Sequence, residues 1–334
     1  MSTLSAIHPT LMDVTNRLDP GGAIDKVVEI LAQTNPILED CVWIEGNLPT
    51  GHRTTVRTGL PAPTWRKLYG GVQPTKSLTA QVTDSCGMLE AYAEIDKALA
   101  DLNGNAAAFR LSEDAAFIEG MSQEFAQTLF YGNEGTEPEA FTGLSPRYLD
   151  VSAGQGNVIS SGGATAPDST DNTSLWLVVW GANTAHCIYP KGSIAGLKMH
   201  DKGQVTAENI DGSQGRAEIY RTHYRWDCGL TVRDWRYVVR VAINAEDLLA
   251  TLASGPDLVD LMVQAQEVIP NLSAGRPAWY MNRGTLSMLR RQINTKRQYN
   301  LTQENVAGKH VLSFDGIPVR RTDAILNTES MVVD

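Results

Sequence analysis

Apolar and polar positions alternate most clearly in two stretches that frame a turn-rich interval. Thr54, Val56 and Thr58 alternate with Arg53, Thr55 and Arg57, and further on Leu78, Ala80 and Val82 alternate with Ser77, Thr79, Gln81 and Thr83. A period of two is that of a strand with unlike faces. Gly59 to Gly71 forms the turn-rich tip between them, so residues 46–83 are predicted to be one long hairpin. At about 3.3 Å per residue, arms of about 12–15 residues reach about 40–50 Å.

Elsewhere the apolar period changes to that of helices. Asp19-Pro20 is a cap with Pro at the first helical position, and Ile24, Val27, Val28 and Leu31 follow at helical spacing until Pro36. Cys41 to Ile44 reads as a short strand, and Met88 to Leu102 as helix or mixed structure ending at Asn103-Gly104. The clearest helix is predicted from Ser112 as cap to Tyr131, with Gly132 as its stop. Phe117, Ile118, Met121, Phe125 and Leu129 make its apolar stripe, and Gly120 within it suggests close packing or a bend. Gly132 to Thr173 is polar and loop-like, and Leu175 to Trp180 is a buried-type strand. Glu218 to Ile243 reads as a hairpin of two long strands with Cys228-Gly229 between them. Helices return at Ala245–Ala253, Asp257–Val268 and Thr285–Ile293, and Val311 to Val319 is a strand broken by a turn at Asp315-Gly316.

Charge sets the hairpin apart from the rest. Residues 46–83 hold Arg53, Arg57, Arg66, Lys67 and Lys76 with no Asp or Glu, in a 334-residue chain of net charge -10, so the remainder sums to -15. The stretch carries nine Gly or Pro residues and too few large apolar ones to bury a core of its own. A basic projection from an acidic body is expected to lie on another copy of that body. The acidic balance makes the chain a poor general binder of nucleic acid.

No H-E-x-x-H, G-x-S-x-G, Walker loop or zinc spacing occurs. Cysteines at 41, 86, 187 and 228 form no C-x-x-C set and are expected to be small packing residues. His186 and Cys187 point to opposite faces of a strand, and His223 with Cys228 supplies only two of a zinc site's four ligands. Neither catalysis nor a cofactor or metal is expected. A second basic segment, Arg276 to Arg297 with Arg283, Arg290, Arg291 and Lys296, contains no acid. It suits a solvated helix face, pairing between subunits, or contact with nucleic acid. The N-terminus lacks a signal peptide and no apolar run is long enough for a membrane span.

The order of these parts resembles the major capsid proteins of tailed bacteriophages, an α+β fold of Hong Kong 97 type. Four stretches are similar to the short-tailed branch: WIEGNLPTGHRTTVRTG from Trp43 to Gly59, QVTDSCGMLEAYAEIDKALADLNGN from Gln81 to Asn105, LTVRDWRYVVRV from Leu230 to Val241, and FDGIPVRRTDAIL from Phe314 to Leu326. The resemblance implies an N-terminal arm over residues 1–40 and an extended loop hairpin over 41–84. It implies a peripheral domain over 85–140, with its spine helix at 112–131, joined by 215–244 and 305–330. Residues 141–214 and 246–304 would form the axial domain. Arg53, Arg57, Trp65, Arg66, Lys67 and Lys76 are the implied inter-subunit contacts.

A shell protein of this kind builds hexamers and pentamers into an icosahedral capsid around double-stranded DNA, without reading its sequence. The implied partners are further copies of the chain, a separate scaffolding protein (no long acidic leader precedes the arm), a portal and a decoration protein. The implied location is the virion capsid after synthesis in the host bacterial cytoplasm. Lys67 and Lys76 are candidates by position alone for the lysine–asparagine crosslink that some relatives make. An encapsulin-type cargo compartment is the alternative with the same fold.

Overall fold

The computed structural model describes residues 9, 32–101, 106–151, 156–161, 171–208, 215–250, 255–296, 301–306 and 309–332. The helical pattern expected from Asp19 to Leu31 lies outside them. The described elements begin with α1 (Ile37–Asp40), β1 (Trp43–Glu45), β2 (Gly51–Gly59), β3 (Leu78–Asp96), α2 (Lys97–Asp101) and α3 (Ala106–Tyr131). Next come β4 (Val158–Ser161), β5 (Asn172–Trp180), β6 (Ala185–Tyr189), β7 (Lys198–Glu208), β8 (Arg216–Val232) and β9 (Val238–Asn244). The C-terminal third holds α4 (Ala245–Ala250), α5 (Leu258–Val268), β10 (Arg276–Met281), α6 (Arg283–Lys296), β11 (Leu301–Val306), β12 (Lys309–Phe314) and β13 (Ile317–Arg321). Two compact units share the chain, and their boundaries fall inside β3, α3 and β8. Among the described residues no helix is long and apolar enough to cross a membrane.

The larger unit, Asn35–Gly87, Gln127–Ala195 and Cys228–Asp334, is built on β5. All nine residues of β5 are buried, which explains its nearly unbroken apolar run. It pairs antiparallel with β9 on one side and β10 on the other. Leu175, Leu177 and Val179 point to one face, where Val239, Val241 and Ile243 of β9 join α5 (Leu258, Met262, Ala265) and α6 (Met288, Leu289) in the main core. On the other face Trp176 meets Phe130 and Tyr148, and the Trp180 indole donates to the Tyr280 hydroxyl at 2.8 Å.

A buried polar centre sits beside Trp176. Arg240 donates from Nε to Ser174 (2.9 Å), from Nη1 to the Tyr148 carbonyl (3.0 Å) and from Nη2 to Glu329 (2.8 Å). Its guanidinium lies 5.3 Å from the Trp176 ring centroid. Glu329 also accepts from Tyr131 at 2.5 Å and from Ser174. Burial, then the Glu329 carboxylate, holds the Tyr131 phenol well above its usual range. Glu329 is bridged to Asn172 through its backbone, so this one residue fastens the C-terminal segment to β5.

The smaller unit contains Met88–Ala126 and Gly196–Asp227. There β8 is flanked by β7 and β3. Alternate residues Thr222, Tyr224 and Trp226 are buried, as the period-two pattern requires. Phe117 of α3 stacks on Tyr224, and Phe125 packs against Trp226 at 4.7 Å. The rim is ionic, with Arg110 to Asp201 at 2.5 Å and Arg221 to Glu94 at 2.6 Å.

One sequence expectation is narrowed and three are corrected. Of the helix or mixed structure expected from Met88 to Leu102, the mixed form is found: Met88–Asp96 continues β3, although it is rich in helix formers, and α2 follows it. Ala93 and Ile95 are buried while Glu90, Tyr92 and Asp96 are exposed, so a strand beside β8 buries one face where a helix would not. The long helix starts at Ala106, so Ser112 lies inside it and is no cap; Ala106-Ala107-Ala108 are strong helix formers that extend it backwards. Of the close packing or bend expected at Gly120, close packing is not found, because a Cβ built there meets nothing within 4 Å among the described residues. Finally, β8 and β9 do not form a hairpin: β8 pairs with β6 and β7, and β9 with β4 and β5. Gly229 lies inside β8 because a Cβ there would stand 2.6 Å from the Ser85 carbonyl oxygen.

Other expectations match what is described. Gly132 stops α3: its N–H donates to Thr128 at 2.8 Å, and a Cβ would stand 2.5 Å from the Phe141 carbonyl oxygen. Asp315 and Gly316 both take positive φ (50° and 76°), which is the geometry of a two-residue hairpin between β12 and β13.

Candidate functional site

The basic hairpin has a root fixed in the larger unit and a tip that touches almost nothing among the described residues. β2 and β3 pair antiparallel from Gly51↔Ser85 to Gly59↔Leu78, with an irregularity between Arg57 and Gly59. At the root, a Cβ on Gly51 would stand 2.0 Å from the Asp84 carbonyl oxygen, so only glycine allows this crossing. The Asn47 amide clasps the Arg53 backbone, donating to its carbonyl and accepting from its N–H at 2.7 Å each. Buried Asp84 is held by Arg147 at 2.9 Å, and Arg147 also donates to the carbonyls of Thr142, Gly143 and Leu230. Ser85 donates to Glu134 at 2.8 Å.

Two histidines meet at this root. His52 of β2 and His186 of β6 stand edge to face with ring centroids 5.8 Å apart. His186 is buried, and neither ring nitrogen is within hydrogen-bonding geometry of a partner. Burial, then His52 and Arg233, pulls its pKa down to about 4, against a weaker opposite pull from the Gly181 backbone. Burial, then Arg233, lowers His52 too, while Asp84 opposes the shift. Both rings are therefore neutral at neutral pH.

The tip, residues 60–77, has no strand, and every residue in it except Gly70 is exposed. Trp65 and Tyr69 are as open as in an extended peptide, at 105% and 103% relative exposure, and Leu60 and Leu68 are nearly so. Tyr69 adopts φ 61°, a left-handed turn conformation that is costly for an aromatic residue. One weak side-chain bond, Thr75 to the Ala62 carbonyl at 3.5 Å, crosses the base of the tip.

The sequence-predicted contacts are thus brought onto one projection and not into one cluster. Arg53 and Arg57 lie on β2, and Trp65, Arg66, Lys67 and Lys76 on the tip. Arg53 reaches Thr83 at 3.3 Å. Among the described residues none of the five cations forms an ion pair. The second basic segment behaves differently: Arg283 faces Asp323 at 3.5 Å. Asp84, Arg147, His52 and Glu329 were not singled out from the sequence, and His186 was weighed there only as a metal ligand. They are single polar residues without periodic or motif context, and only pairing between distant strands brings them together.

Among the described residues no three His, Cys, Asp or Glu side chains gather closely enough to hold a metal. The chemistry on offer is that of a surface: a row of unpaired cations interleaved with open apolar side chains.

Residues 19–333 match the family described as major capsid protein GP7. The chain is similar, at 37% identity and a TM-score of 0.79, to a protein in the structure of bacteriophage epsilon15, with each chain covered over 100% of its length. It is distantly similar to the bacteriophage JBD30 capsid (10% identity, 89% of this chain and 93% of that one, TM-score 0.48). A comparably distant likeness is to the SrpI encapsulin of Synechococcus elongatus (11% identity, 66% and 91%, TM-score 0.43). No curated protein matches it in sequence.

Proposed function

The chain belongs to the major capsid protein GP7 family, and from that membership we propose that its copies close, as hexamers and pentamers, into an icosahedral shell around phage double-stranded DNA. The protein is a phage major capsid protein with an α+β fold of Hong Kong 97 type, found in the capsid of the virion and built to self-associate. The encapsulin-type compartment is the weaker reading, since that likeness stands at 11% identity against 37% for the phage protein.

The basic hairpin is the proposed contact with a neighbouring copy, through Arg53, Arg57, Trp65, Arg66, Lys67 and Lys76. The observation that carries this is the exposed tip, whose cations and large apolar side chains stay open to solvent and form no ion pair among the described residues. A monomer gains nothing from holding Trp65 and Tyr69 in water. The domain plan inferred from the resemblance accompanies this reading: arm at 1–40, loop at 41–84, peripheral domain at 85–140 with 215–244 and 305–330, and axial domain at 141–214 with 246–304. The scaffolding protein, portal and decoration protein belong to the same proposal, as do synthesis in the host cytoplasm and a role without catalysis.

Deletion of Leu60 to Tyr69 tests the contact. The shortened chain should stay soluble with a near-normal circular dichroism spectrum but form no closed shells under the electron microscope. Normal particles from that chain would refute the assignment.

A further inference from the structure

The two arms of the hairpin are held to the larger unit in different ways. β3 runs on beside β8 in the sheet, whereas β2 is the last strand of that sheet and pairs only with β3 among the described strands. β2 reaches β6 through side chains, at the edge-to-face rings of His52 and His186.

This joint is poor in hydrogen bonds. His52 and Asp84 are cross-strand partners with Thr54 on the same face, and His186 and Thr231 are cross-strand partners on theirs. Six buried atoms of these five side chains have no hydrogen-bond partner among the described residues: His52 Nδ1, Thr54 Oγ1, Asp84 Oδ2, both ring nitrogens of His186, and Thr231 Oγ1. Buried polar atoms are nearly always paired, so a concentration of unpaired ones marks a contact that gives way at low cost.

The charge around the rings is mainly cationic. Arg233 acts on both, and the one carboxylate that opposes it, Asp84, is already held by Arg147 at 2.9 Å. The Gly181 backbone is the remaining group that favours a proton on His186. A proton on either ring therefore places a positive charge beside Arg233 and the other ring, largely out of water. Swung into water, both rings would titrate near the ordinary histidine value of about 6.5.

We propose that the contact between β2 and β6 is an acid-sensitive latch: with both rings neutral it fixes the direction of the hairpin, and protonation opens it, so that the hairpin swings on β3 while the rest of the larger unit stays folded. The pivot is the stretch of β3 tied to the body by Arg147, which bonds Asp84 and the Leu230 carbonyl together. With His186 near 4 in the closed latch and near 6.5 in water, the closed-to-open ratio falls about 30-fold between pH ~7.5 and pH ~5. The swing is a property of the single subunit; only its effect on assembly rests on the hairpin reading above.

The experiment places spin labels at Ser77→Cys on the tip and Glu267→Cys on α5, both exposed positions of the larger unit. The full-length chain carries Cys86→Ser, since Cys86 is the one cysteine that is not buried. Pulsed dipolar spectroscopy on free subunits should show one distance distribution at pH 7.5 and a second, displaced one at pH 5, with full return at pH 7.5. The circular dichroism spectrum should be unchanged across that range. The displaced distribution should be absent from the His52→Phe/His186→Phe chain. Arg233→Gln, which removes a like charge, should shift its appearance to lower pH, and this variant leaves both rings in place.

A single unchanged distribution at both pH values overturns the latch. So does a displacement that persists in the double Phe chain, or a loss of circular dichroism at pH 5, which would mean that acid melts the unit instead of freeing one arm. If the displacement is seen while the Leu60–Tyr69 deletion still assembles, the latch stands and the hairpin reading falls. If the deletion abolishes shells and no displacement is seen, only the latch falls.

Discussion

Arginine occurs in two opposite settings in this chain. Arg240 is buried in the larger unit, and its guanidinium is matched by a hydroxyl, a carbonyl, a carboxylate and an indole face. Arg57 and Arg66 stand in water on the hairpin with no partner among the described residues. A desolvated charge must be satisfied inside the chain that buries it, so Arg240 belongs to the fold. A hydrated cation contributes little to its own subunit, and its position is free to serve a neighbour. The same side chain thus marks a folding requirement in one place and an assembly surface in the other.

The largest effect expected from that contrast is at Glu329. Glu329→Ala leaves Arg240 buried without its counter-charge and frees the Tyr131 and Ser174 hydroxyls. It should lower subunit stability by about 3–5 kcal/mol in urea titration. Replacing both members of the pair by apolar residues of similar size should cost less than Glu329→Ala alone, because no lone charge remains. A double variant worse than either single one would show that the pair is net stabilising and sharpen the comparison in the other direction.

An intermediate effect is expected at the hairpin root as pH falls. His186 has its folded pKa, about 4, below the unfolded value near 6.5. Between these values the unfolded state binds the proton and the folded state does not, so stability is complete above pH ~6.5 and declines toward pH ~4. The full loss is about 3 kcal/mol, and His186→Phe should flatten that part of the pH profile of the unfolding midpoint. An unchanged slope in the variant would remove His186 from the account of acid sensitivity.

The smallest effect on the subunit is expected at the hairpin cations. Arg53, Arg57 and Arg66 replaced together by Glu should alter unfolding free energy by no more than about 0.5 kcal/mol. Assembly at about 0.15 M salt should nevertheless fail. Each exposed pair is worth only about 0–1 kcal/mol, but a closed shell repeats the contact many times. A triple variant that unfolds much more easily than the wild type would mean the hairpin cations support the fold after all.

How much of this was legible depended on whether the signal was local. β5 was legible because burial on both faces demands an unbroken apolar run, and the β12–β13 turn because Asp315-Gly316 suits positive φ. The hairpin was legible from its alternation and its want of acid. Met88–Asp96 was legible only as helix or mixed structure, because its Ala, Glu and Leu favour helix and only the neighbouring β8 makes a strand of it. Gly229 was misread as a turn, since the close approach of Ser85 that requires it comes from a strand far away in sequence. The contact residues of the tip carried a compositional signal. The residues that anchor its root, Asp84, Arg147, His52 and His186, carried none, because each becomes meaningful only when β2, β3 and β6 are brought together.

Limited trypsin digestion of assembled particles and free subunits, read by mass spectrometry at Arg57, Arg66 and Lys67, tests the central claim most directly. In free subunits these exposed bonds should be cut first, before any bond in the cores of the two units. In particles the same bonds should be protected, because each hairpin is covered by the copy it lies on. Equal cleavage of the three sites in both states would contradict the account.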